Sequence, residues 1–191
     1  PKDFFNTGHN FINSLTLTTG TKTNKTYISV ATTNATGILP NNDYNRYNFT
    51  VRNTSDFLND KLHLDINGSY IIQNTQNMYR PGEYYNPLTS VYLFPRGNDW
   101  SAVELYKRYD ASRKLATQYW PYGDQGMQLQ NPYFIVNDMM TPVQRKRYMF
   151  MSSLKYDILP WLNVTGRVRI DNTNSESESR FHASGQGLLY A

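Results

Sequence analysis

The sequence predicts an all-β fold: an antiparallel meander that forms part of a transmembrane β-barrel and carries one long, partly helical extracellular loop. Three observations lead there. First, four stretches alternate apolar and polar residues with a period of two. From position 61, Leu62, Leu64, Ile66, Gly68, Tyr70 and Ile72 alternate with His63, Asp65, Asn67 and Ser69. From 147, Tyr148, Phe150, Ser152, Leu154, Tyr156 and Ile158 alternate with Met149, Met151, Ser153, Lys155 and Asp157. Leu162, Val164, Gly166, Val168 and Ile170 alternate with Asn163, Thr165, Arg167, Arg169 and Asp171, and Tyr47, Phe49 and Val51 with Arg46, Asn48, Thr50, Arg52 and Thr54. A strand throws successive side chains to opposite faces, so each stretch has one apolar and one wet, often charged face. Second, these strands run to about ten or fifteen residues, against a usual length of about 5–6 in globular proteins. A tilted strand crosses a bilayer in roughly 9–11 residues. Third, the connections alternate between tight turns and long loops, as in bacterial barrels with short periplasmic turns and longer extracellular loops.

The elements follow in order. Residues 1–9 read as a lead-in. A first, less regular strand spans 10–19, with Phe11, Leu15 and Leu17 on one face. The segment GTKTN at 20–24 is a turn that opens on a φ-permissive glycine. Strand two spans 25–35, and TGILPNND at 36–43 is a Gly/Pro/Asn connection. Strand three spans 44–57, LND turns the chain, and strand four spans 61–73. Strands five and six, 147–158 and 162–174, form a hairpin joined at LPW. Pro160 has no amide hydrogen and fits a turn, and Trp161 beside it suits a membrane–water interface. The chain thus divides into the first four strands (1–73), a long loop (74–146), and a further hairpin with the start of the next loop (147–191). Within the long loop, 99–115 has helix-compatible composition, with Ser101 as a cap ahead of Glu104.

Composition narrows the function. No run approaches the roughly 18 apolar residues of a membrane helix. Tyrosine occurs 16 times, and aromatics make up 15% of the chain, which suits strands and membrane interfaces alike. Cysteine is absent, so there is no disulfide framework, thiolate metal site or thiol nucleophile. The net charge of +4 is spread along the chain and argues against nucleic-acid binding. His9, His63 and His182 lack ligand spacing, no Ser/His/Asp set or phosphate loop can be assembled, and the reading holds no catalytic residue, cofactor or metal. The chain opens on PKDFFNTG, which reads as an excerpt from a longer protein.

The stretch from GTKTNKTYISV to LHLDINGSYI, with NPLTSVYLFPRG at 86–97, NPYFIVND at 131–138 and SLKYDILPWLNVTGRVRID at 153–171, resembles the SusC/RagA-type TonB-dependent outer-membrane transporters of Bacteroidetes. The resemblance implies a plug inside a 22-stranded barrel, of which this chain would supply about six strands. It also implies an importer in the cell outer membrane for oligosaccharides or peptides, a SusD-like surface lipoprotein as partner, and energy from TonB through a part of the parent protein outside this sequence.

The long loop carries many aromatics, and rigid aromatics dominate binding hot spots. Tyr84, Tyr85, Arg96, Trp100, Trp120, Tyr122 and Tyr133 are the candidate contacts to ligand or partner; the alternative is that most such rings pack the loop's own small core. Arg145, Lys146 and Arg147 sit where strand five leaves the loop and read as a solvated strand end or a phosphate contact. Arg46, Arg52, Asp65, Lys155, Arg167, Arg169 and Asp171 belong on the lumen side, because Arg or Lys facing lipid costs about 2–4 kcal/mol at the midplane. A soluble β-rich glycan-binding or adhesion module is the rival reading. It would have to bury the apolar stripe against a second sheet.

Overall fold

The computed structural model describes residues 2–78, 85–121 and 129–185. A single 3-10 turn at Lys2–Phe4 leads into β1 (His9–Gly20), β2 (Asn24–Thr36), β3 (Asp43–Phe57) and β4 (Leu62–Gln76). The insert then holds α1 (Pro87–Tyr92), α2 (Ser101–Glu104), β5 (Lys107–Asp110), β6 (Leu115–Gln118), α3 (Pro132–Asp138) and β7 (Met139–Met140). Two long strands follow, β8 (Val143–Leu159) and β9 (Leu162–Ser177), then a short β10 (Arg180–Phe181). The long strands form one six-stranded sheet in the order β1-β2-β3-β4-β8-β9, antiparallel throughout. The insert leaves β4 and β8 adjacent, paired from Leu62↔Tyr156 to Thr75↔Val143.

Two expectations need correction. The strands flanking the insert reach further than the alternation suggests, to Gln76 and from Val143, so the connection runs from 77 to 142. The helix expected over 99–115 is one turn, Ser101–Glu104, followed by the β5–β6 hairpin. Asp110 diverts the chain: its Oδ1 accepts hydrogen bonds from the Ser112 amide at 2.9 Å and hydroxyl at 2.6 Å, and from the Arg113 amide at 3.3 Å. These local bonds offer the backbone an alternative to helix. They hold the Asp110 carboxyl below its usual range, the Ser112 hydroxyl being the largest cause. Asp99, not Ser101, accepts at the start of α2, from the Ser101 hydroxyl and amide.

The tight turns are built as expected. At Gly20 an added Cβ would overlap the Asn24 carbonyl oxygen, so only glycine closes β1 onto β2. Leu58, Asn59 and Asp60 all take left-handed conformations, φ 54, 54 and 61°, closed by the Lys61 amide donating to the Phe57 carbonyl at 3.2 Å.

The hydrophobic core does not lie under the sheet. Within the six long strands only Ser55 is buried. Phe4, Val91, Phe94, Trp100, Val103 and Val136 form one core cluster, and Phe134, Ile135 and Met139 another, all outside the long strands. Among the described residues no second sheet covers either face of the first. No helix among them is long and apolar enough to cross a membrane, which says nothing about strands.

Candidate functional site

Three surfaces carry the chemistry: the insert, the charged face of the sheet and its apolar face. The insert is built on two Asn-Pro pairs. Asn86 caps α1, its Oδ1 accepting from the Leu88 amide at 3.1 Å, and Asn131 caps α3, accepting from the Tyr133 amide at 2.9 Å. In each case proline takes the first helical position, where its missing N–H costs nothing. This is the physical content of the NPLTS and NPYFI segments, and the sequence signal was there to be read as two helix starts. Asn131 does more. Fully buried, its Nδ2 donates to the Val103 carbonyl at 2.8 Å and the Tyr119 carbonyl at 3.0 Å, and its backbone amide donates to Gln118 Oε1 at 2.9 Å. Asn131 thus ties α2, β6 and α3 together through its side chain and backbone amide. Asn131→Ala is expected to cost the folded insert about 2–3 kcal/mol, because it strips a cap and strands two buried carbonyls. Faster proteolysis within the insert, with the sheet left intact, is the measurement.

The predicted contact residues divide. Trp100 is only 7% exposed; its ring meets Phe94 at 4.8 Å and Phe4 at 6.3 Å between centroids, edge-on in both cases. Its Nε1 donates to the Tyr133 hydroxyl at 3.2 Å, and burial pushes the Tyr133 hydroxyl pKa up against the pull of that bond. Trp120 packs on the same cluster, and Tyr85 on the second, its ring 5.7 Å from that of Phe181. These four serve the insert's own core. Arg96 is exposed. Tyr84 and Tyr122 lie outside the described residues. Other aromatics are the ones turned outward: Tyr92 is 76% and Tyr109 70% exposed. Lys107 donates to Asp138 at 2.9 Å, and that bond raises the lysine pKa. The β2–β3 loop is fastened to the insert as well, since Asn41 Nδ2 donates to the Val136 carbonyl and to Asn137 Oδ1.

The register gathers most charges of the long strands on one face. Arg52 forks onto Asp65 at 3.0 and 2.7 Å, and Arg147 onto Asp171 at 2.8 and 2.7 Å. His63 bridges Asp56 at 2.6 Å and Asp157 at 3.0 Å, and Lys155 also reaches Asp157. The residues expected to share a wet face, Arg46, Arg52, Asp65, Lys155, Arg167, Arg169 and Asp171, do share one. Lys146 points the other way, in register with Ile72. Among the described residues no set of three His, Asp or Glu side chains is arranged to hold a metal ion.

The opposite face is apolar. Leu62, Leu64, Ile66, Leu154, Tyr156, Val164 and Val168 lie on it together, and none is buried. Leu154, Tyr156, Val164 and Val168 are exposed, while Leu62, Leu64 and Ile66 are half-covered by their sheet neighbours. Phe49, Tyr70 and Tyr148 cross this face in one pairing row toward the long-loop end, and Phe57, Leu62 and Tyr156 in another toward the tight turns. Trp161 stands just beyond, 78% exposed. Above the upper aromatic row come Tyr47, Ile72 and Lys146, and beyond them the face turns polar. Asn34 donates to Asn45 at 2.7 Å and Gln144 to Asn74 at 3.0 Å, and Asn45, Asn74 and Gln144 help line a cleft of about 480 Å³ with Asp43, Glu176 and Glu178.

No family model and no curated protein matches this chain. The reading of the site therefore rests on its geometry, and one feature is most telling. The apolar band is not parallel to the pairing rows. Its middle is Gly166 on β9; on β1, where the apolar residues of this face are Phe11, Leu15 and Leu17, it is Ser14, and the row through Ser14 runs by Ala31, Asn48, Ile71 and Arg147 to Thr173. Over five strand-to-strand steps the band has climbed seven residues.

Proposed function

We propose that this chain is part of the wall of an outer-membrane transporter of the SusC/RagA type, importing oligosaccharides or peptides with a SusD-like lipoprotein and powered through TonB. The observation that carries the reading is the diagonal band. In a barrel tilted by about 40°, a level membrane crosses strands spaced about 4.8 Å apart with a drift of about 4 Å, or roughly 1.2 residues, per strand. The register shows nearly that drift. Along β8 the span from Tyr148 to Tyr156 is about 27 Å at about 3.4 Å per residue, or about 21 Å in height at that tilt, close to the apolar band of about 25 Å expected of such walls. Aromatic side chains toward both ends of the band, Tyr70 and Tyr148 above and Phe57 and Tyr156 below, are of the kind found in girdles at the two interfaces. The polar cluster of Asn24, Thr26, Asn53 and Ser55 lies toward the tight-turn end of β2 and β3, and the Asn/Gln rows lie at the long-loop end.

The exposed apolar face supports this reading over the soluble module, which needs a covering sheet. On the transporter reading the charged face lines water, the insert caps the extracellular rim, and the protein moves its ligand unchanged. The test is reconstitution of the full-length protein into liposomes. A folded band that shifts on boiling, together with oligosaccharide release from the vesicles, supports the reading; a monomer that melts cooperatively without detergent rejects it.

A further inference from the structure

The charged face holds more cations than carboxylates, and the described contacts use up the carboxylates. Asp56 and Asp157 are engaged by His63 and Lys155, Asp65 by Arg52, and Asp171 by Arg147 with Arg169 at 3.6 Å. Arg46 and Arg145 make no ion pair among the described residues. The register sets them on one row with Gln73 between them, two strand spacings or about 10 Å apart. Arg46 donates through Nε to Asn48 Oδ1 at 3.0 Å, which orients the guanidinium on a neutral partner and leaves its charge uncompensated. The Gln73 Oε1 accepts from the Tyr44 hydroxyl at 3.5 Å, so its amide nitrogen remains a donor between the two cations. Around Arg46 the neighbours on this face are uncharged, Thr33 and Asn48 beside it with Thr50 and Ser69 two rows on, while Arg145 stands beside Arg147, whose charge is already paired with Asp171.

We propose that this patch binds an acidic oligosaccharide, with Arg46 and Arg145 holding carboxylates on separate sugar units. Guanidinium groups pair with carboxylates through parallel charge-assisted hydrogen bonds. Hydroxyl and amide side chains both donate and accept, which suits the sugar hydroxyls between those carboxylates. Charge complementarity thus names the anion, and the hydroxyl and amide lattice favours sugar over acidic peptide. The inference rests on the barrel reading, which makes this face the lining of an aqueous path, and it narrows the substrate class of that path.

The experiment is calorimetry on the full-length protein in detergent micelles, with trigalacturonate, maltotriose and triglutamate as probes at equal ionic strength. Trigalacturonate should bind at least about tenfold more tightly than either other probe, and less tightly as salt is raised. An Arg46→Gln/Arg145→Gln variant should lose that preference while migrating on gels as folded protein. Equal binding of maltotriose, or a preference that survives the double substitution, overturns the proposal; equal binding of triglutamate overturns the choice of sugar. Gel migration of the same sample separates the two levels. Folded, inserted protein that ignores trigalacturonate defeats this inference alone, and protein that stays soluble without detergent defeats the barrel reading beneath it.

Discussion

Replacing Ile66 with arginine is expected to impair membrane insertion of the full-length protein more than any other single change on β4. Ile66 sits close to the middle of the apolar band, in register with Ser152 and Asn53. On the proposed barrel reading a guanidinium there would face hydrocarbon at a cost of about 2–4 kcal/mol. Leu64→Arg lies nearer the lower margin, where the cost falls toward about 0–1 kcal/mol at the interface. Asp65→Asn, on the other face, breaks only the Arg52 pair, whose arginine is about half exposed; such exposed pairs are worth about 0–1 kcal/mol. The measurement is the folded fraction in liposomes, and the order Ile66→Arg, Leu64→Arg, Asp65→Asn is the expected ranking of loss. Equal tolerance of all three would mean that the two faces of β4 do not differ in solvent.

Excising residues 84–122 is expected to abolish uptake while leaving the wall folded and inserted. The segment holds α1, α2 and the β5–β6 hairpin, and with them Val91, Phe94, Trp100 and Val103 of the insert's core. The sheet shares no core with it: β4 and β8 pair directly from Leu62↔Tyr156 to Thr75↔Val143. Removing the segment therefore dismantles the rim and its outward-facing Tyr92 and Tyr109 without touching a ladder bond of the wall. Transport of labelled oligosaccharide and boiling-dependent gel migration read the two effects separately. Unchanged uptake would remove the insert from the transport mechanism, and loss of the folded band would show that the wall depends on it.

The six-stranded sheet was legible in the sequence because each long strand has one apolar and one polar face, and alternation records that directly. Its upper ends were not legible. Asn74, Gln76 and Gln144 sit on the apolar side but are polar, so the alternation stops before the strands do. The helix over 99–115 failed on one carboxylate: Asp110 captures local amides that helix-forming composition cannot anticipate. The two short helices of the Asn-Pro segments carried a readable cap signal. The fate of the rings did not, because the partners of Trp100 and Tyr133 include Phe4, which is remote in sequence. Periodicity reports the solvent on each side of a strand; it says nothing about which distant side chain fills a loop.

Because Phe4 and Leu39 pack with Val103 and Val136 in one rim cluster and Phe181 packs on the other, the insert cannot consolidate from local contacts. Four long strands separate Phe4 from α1, and two more separate α3 from Phe181. Closing those loops costs chain entropy that no rim contact repays until the intervening strands are paired. The rim should then order last, as a lock that engages after the wall has found its register. A strand pair slipped by one residue would turn its side chains to the wrong faces and carry Phe4 or Phe181 away from its partners. Protection of the rim amides from hydrogen exchange would therefore lag behind that of β4 and β8 during assembly, and the aromatic cluster would act as a proofreading step on the sheet beneath it.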